Sequence, residues 1–77
     1  MTLTELQKLY ITHDLVEAVI EPSLRQDGWI VEFRHRRGGF VLLTDAAGVE
    51  ECYSDIDQAT EYALAVGFQQ VRIADDF

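Results

Sequence analysis

"WIVEFRHRRGGFVLL", residues 29–43, decides the fold. After Trp29 and Ile30, apolar and polar side chains alternate from Val31 to Arg34, two glycines interrupt at 38 and 39, and an apolar run follows. Period-two alternation marks a strand with one buried face. Glycines at the break supply the positive φ that a chain reversal needs. The stretch therefore reads as a β-hairpin, with strands Trp29–Arg34 and Phe40–Thr44. A tight turn at the glycines puts Phe40 and Leu42 beside Trp29, Val31 and Phe33. The opposite face then carries Ile30, Val41 and Leu43 along with Glu32 and Arg34, which makes it half apolar.

Outward from the hairpin the same logic repeats. "RQDG" (25–28) and "DAAG" (45–48) are turns, and Val49–Tyr53 is a further strand. Upstream, Val16, Ala18, Ile20, Pro22 and Leu24 alternate with Glu17, Val19, Glu21, Ser23 and Arg25, again a strand. Pro22 lacks an N–H and either ends this strand or sets it at a sheet edge. A helix continuing to about residue 20 is the rival reading of this segment. Turns spaced about ten residues apart predict an antiparallel meander.

A helix stands on each side of the meander. Leu3, Leu6, Leu9, Tyr10 and His13 recur at helical spacing, behind a capping box of Thr4 and Gln7. Ile56, Ala59, Ala63 and Val66 form a second stripe, capped by Ser54 with Asp57 and closed by Gly67. "FQQVRI" (68–73) returns as a last strand with Val71 and Ile73 on one face, and "ADDF" (74–77) is a frayed tail. The expected fold is a single α+β domain over residues 1–77. Its order is α-β-β-β-β-α-β, with four to five antiparallel strands and two helices on one face.

Composition narrows the function. Seventy-seven residues make one thin core, and such cores rarely leave more than about 3–5 kcal/mol of net stability. Cys52 is the single cysteine, so no internal disulfide forms and stability must come from packing or self-association. The 48% hydrophobic content permits either. "MTLTELQKLY" lacks the basic and apolar regions of a signal peptide, and no apolar run approaches the ~20 residues of a membrane span. A cytoplasmic protein is expected. The net charge is -8. Residues 45–77 hold eight acids and one base, Arg72. Such a chain is repelled by nucleic acid and by anionic membranes unless one basic patch dominates locally.

One basic patch exists. Arg34, Arg36 and Arg37 are half of the six basic residues and sit within four positions. They can grip an anionic partner, or simply solvate a hairpin tip and prevent sheet-to-sheet aggregation. Catalytic readings are weaker. Cys52, His13, His35 and Asp14 have no metal-ligand or nucleophile spacing. Glu50 and Glu51 point to opposite faces of a strand and cannot share a proton. Asp55 and Asp57 are explained by the helix N-terminus. "RRGG" is followed by a strand, whereas a phosphate cradle needs a helix there. No catalytic residue, cofactor or metal site is expected.

Gly28 and Trp29 at strand entry, the hairpin, the turn at Thr44, Asp45 and Gly48, and an aromatic before an acid-capped helix ending at Gly67 carry a resemblance. Over about residues 28–73 the chain resembles small bacterial proteins labelled as plasmid replication or partition accessory proteins. That resemblance implies an accessory role near DNA and carries no functional residues across. The residues themselves point to a non-enzymatic protein-interaction module. It is expected to be a homodimer or to bind an acidic protein partner, through Ile30, Val41, Leu43 and the arginines Arg34, Arg36 and Arg37. The alternative is a nucleic-acid accessory protein using the Arg34–Arg37 hairpin. A small-molecule site involving Trp29, Tyr10, Tyr53 and Tyr62 comes third.

Overall fold

A computed structural model describes residues 1–74. Residues 75–77 lie outside the described residues, so the fraying expected there is not addressed. The chain runs α1 (Leu3–Ile11), β1 (Leu15–Pro22), β2 (Trp29–His35), β3 (Phe40–Leu42), α2 (Ile56–Val66) and β4 (Arg72–Ile73). The class is α+β. The four strands form one mixed sheet in the order β3-β2-β1-β4.

The segment at 15–22 is strand, not helix. Its alternation fits the pleat, and Pro22 ends it rather than placing it at an edge: β1 lies between β2 and β4. The antiparallel β1–β2 ladder runs from Pro22↔Trp29 to Glu17↔Arg34. A bulge between Leu15 and Glu17 then returns Leu15 to the core side. β4 is the departure from a meander. It joins β1 in parallel, Val19↔Arg72 and Ile20↔Ile73, because α2 carries the chain back across the sheet before the strand begins. Residues 49–53 make two single bridges, Thr44↔Glu50 and Trp29↔Tyr53, instead of a continuous strand. The chain there steps from the end of β3 to the start of β2.

The hairpin register corrects the expected faces. The pairs are Glu32↔Leu42, Phe33↔Val41 and Arg34↔Phe40. Five residues, 35–39, therefore lie between the last aligned pair, where a tight turn at the glycines was expected. An odd loop shifts the pairing by one residue, and a one-residue shift moves every side chain of the returning strand to the other face. Val41 packs against the core and Leu43 is only 2% exposed within it. Neither shares a face with Ile30, contrary to the expectation that Ile30, Val41 and Leu43 line one surface.

The core lies between the sheet and both helices. Leu6 of α1 and Ala59, Ala63 and Val66 of α2 cover Ala18, Ile20, Val31 and Phe33. Alanines at 59 and 63 let α2 approach the strands closely. Phe33, fully buried, stacks on Phe68 at 5.7 Å, and Phe68 meets Tyr10 edge-on at 4.7 Å. Gly67 closes α2 at φ +140°, and a Cβ there would lie 2.5 Å from Cδ2 of Tyr10. The C-cap expected at Gly67 thus also seats the two helices together.

Both N-caps sit away from their expected positions. Thr2 and Glu5 form the α1 capping box, with Thr2 N donating to Glu5 Oε1 at 2.9 Å. A carboxylate at this position accepts more strongly than the amide of Gln7. Gln7 instead donates to the Ala65 carbonyl of α2 at 2.9 Å. Asp55, not Ser54, caps α2, its Oδ1 accepting from Gln58 N at 2.7 Å. Asp55→Ala should cost about 1 kcal/mol of stability in urea melts. Ser54→Ala, at an exposed position outside the cap, should stay within about 0.5 kcal/mol.

Candidate functional site

Two helices on one side leave the other side of the sheet without a covering element. Strand pairing places its residues in rows. Glu17, Arg34 and Phe40 form the row nearest the hairpin loop; Arg72, Val19, Glu32 and Leu42 the next; Glu21 and Ile30 the last. Val19 and Ile30 are 2% and 7% exposed although no helix covers them. Long polar side chains flank them in these rows, Arg72 and Glu32 beside Val19 and Glu21 beside Ile30. Glu50 closes the last row: its backbone bridges Thr44 beyond β3, and its Oε2 accepts from Ser23 Oγ at 2.6 Å beyond the end of β1. Phe40 remains 53% exposed.

The electrostatics of this face are uneven. Near the loop, Arg72 donates from Nε and Nη2 to Glu17 Oε1, at 3.0 and 2.9 Å. Arg34 stands exposed opposite Glu17 and makes no ion pair within 4.0 Å among the described residues. At the other end Glu21, Glu32 and Glu50 converge. Partial burial, then a hydrogen bond with Glu21 and the charges of Glu21 and Glu50, push the Glu32 carboxyl up to about 7. Burial and like charge both disfavour the ionised form.

The other arginines behave differently from Arg34. Arg36 is tied down within the chain, its Nη2 3.0 Å from Asp14 Oδ1 and its backbone N donating to the Asp14 carbonyl. The Thr12 hydroxyl and then Arg36 hold the Asp14 carboxyl below its usual range. Arg37 lies at the exposed tip, its N donating to His35 Nδ1 at 3.1 Å. Of the residues expected to make an interaction surface, Arg34 and Ile30 share the uncovered face. Arg36 and Arg37 sit at its loop end, while Val41 and Leu43 are on the helix side.

The side chains considered for catalysis are scattered. Cys52 Sγ lies against Gly28 at the start of β2 and donates to the Asp27 carbonyl at 3.3 Å. His35 ends the same strand, roughly 20 Å away at about 3.3 Å per residue. Among the described residues, no three of His, Cys, Asp and Glu are placed to hold a metal ion. No helix among them is long and apolar enough to cross a membrane. Tyr53 and Tyr62 stack on each other at 4.7 Å. A cleft of about 210 Å³ lies beside β1, between residues 16–18 and 68–72. A second, of about 230 Å³, opens among Leu3, Gln58, Glu61, Tyr62 and Ala65.

Compared with known protein families, curated proteins and solved structures, the chain gives no match. The uncovered face is therefore judged on its own chemistry.

That chemistry has a pH signature. The folded state binds the Glu32 proton more tightly than the unfolded chain, whose carboxyl stays near 4.5. The contribution is full below about 4.5 and is lost as pH rises through about 7. Thermal melts should show stability falling across that window. Glu32→Gln, which keeps the shape and removes the charge, should flatten this part of the curve.

Proposed function

We propose that this chain is a non-enzymatic protein-interaction module, cytoplasmic, that self-associates through the uncovered face of its sheet. The observation that supports the reading is the placement of both helices on one side. It leaves Phe40 exposed and Leu42 half-buried among charged side chains on the other side. A sheet face of this kind is usually covered, by another layer or by another subunit. The thin core gives the same direction, since small chains commonly gain stability from a partner. A single cysteine, half-buried and free, fits a reducing compartment.

Arg34 takes the role of charge recognition in this reading, and Arg36 that of pinning the hairpin loop to Asp14. A nucleic-acid role through the hairpin has less support: with Arg36 paired, Arg34 and Arg37 face a net charge of -8. The accessory role near DNA implied by the resemblance would then run through a protein contact.

Sedimentation at about 100 μM, above the micromolar range common for weak interfaces of standard size, should find dimers. A monomer at that concentration removes the reading. In fluorescence-anisotropy titrations at physiological salt, labelled DNA and RNA should show no binding at micromolar protein. A salt-sensitive rise there would favour the hairpin as a nucleic-acid contact instead.

A further inference from the structure

We infer, resting on the self-association just proposed, that two copies meet face to face about a two-fold axis lying between their sheets and running across the strands, so that Arg34 of each copy enters the Glu21, Glu32 and Glu50 carboxylates of the other. The argument is one of charge placement on a single face. Its loop end carries Arg34, exposed and without an ion pair among the described residues. Toward its other end stand three acids, Glu32 in the middle row and Glu21 and Glu50 beyond it, none of them in an ion pair among those residues. Arg34 and Ile30 lie four residues apart on β2, about 13 Å at strand rise.

A rotation about an axis across the strands keeps each strand over its counterpart and exchanges the two ends. Arg34 then lands over the partner's Ile30, which Glu21 flanks on β1, Glu32 follows on β2, and Glu50 crosses. Any axis along the strands would instead set Arg34 against the partner's loop-end row, whose acid, Glu17, is already clasped by Arg72. The middle row meets itself. Leu42 therefore packs on the partner's Leu42, and the two Glu32 carboxyls approach each other with an arginine on either side. Phe40 extends toward the partner's Thr44.

The face is self-complementary, which is the requirement of an isologous interface. A foreign protein would need to carry the same acid and base spacing in mirror order, while a second copy carries it by construction. Guanidinium suits the task, since its fork can bond two carboxylates at once. A standard interface takes about 800 Å² from each partner, roughly a sixth of the 4919 Å² this chain exposes.

The test uses charge reversal in trans. Arg34→Glu sets acid against acid in its own dimer, and Glu32→Arg sets base against base. Each variant alone should lose at least about tenfold in dimer affinity by sedimentation. An equimolar mixture of the two should recover it. In the mixed dimer the glutamate introduced in the first variant meets the arginine introduced in the second, while Arg34 of the second variant meets Glu32 of the first. Circular dichroism checks that each variant is folded, and Glu21→Arg replaces Glu32→Arg if that half-buried position does not tolerate arginine. Wild-type dimers that survive Arg34→Glu unchanged, or a mixture that stays monomeric, overturn this arrangement while leaving self-association standing. A monomeric wild type removes both.

Discussion

Five residues separate Arg34 from its partner Phe40, and the pleat converts that odd number into the placement of everything on β3. With it, Val41 joins Phe33 under the helices and Leu43 follows into the core. With an even count, Phe40 and Leu42 would lie there instead, and Leu43 would face outward. The loop is held at that length from both sides. His35 N donates to the Gly39 carbonyl, Gly38 N to the His35 carbonyl, and Arg36 is bonded through backbone and side chain to Asp14. Because Asp14 directly precedes β1, the turn that ends α1 and the loop that sets the register are one connected unit.

The surplus of acid also gains a structural meaning. Asp55 caps α2, Glu5 closes the α1 box, and Asp45 Oδ1 accepts from both Ala47 N and Val49 N to shape its turn. Asp14 and Glu17 each hold an arginine. These carboxylates satisfy donors that would otherwise be unpaired at helix starts and turns. Glu21, Glu32 and Glu50 stand apart from them. They crowd together on a face shared with two buried apolar side chains, Val19 and Ile30, where neutralising or bridging their charge is favourable.

Much of the fold was legible from local pattern. Alternation located β1 and β2, the i+3/i+4 stripe located α2, and Gly67 marked its end for the right reason, a positive φ. Gly28 is a fuller case: at φ +124° a Cβ would fall 2.6 Å from the Tyr53 carbonyl oxygen, a contact that no local pattern contains. The caps were misplaced by one or two residues because Thr2 and Thr4, or Ser54 and Asp55, offer equivalent chemistry, and only backbone geometry chooses between them. The candidate face was half legible. Glu32 and Arg34 read as outward-facing from β2 alone, but Leu42 and Phe40 joined them through loop length, and Glu50 through a pairing across the Asp45 turn. Both are long-range outcomes that composition does not encode.

The last strand carries a burden out of proportion to its size. Two residues, Arg72 and Ile73, cover the outer side of β1 at Val19 and Ile20, some fifty positions away in sequence. Beyond them Ala74 N adds one bond to the Ile20 carbonyl, and Arg72 clasps Glu17. Closing so long a loop for so short a ladder gives little local return, so this corner should be the first part of the sheet to open. What it uncovers is the hydrogen-bonding edge of β1, the strand that brings Ala18 and Ile20 into the core. Strand edges of that kind recruit other chains. Short as it is, β4 with its Glu17–Arg72 clasp keeps that edge of β1 paired.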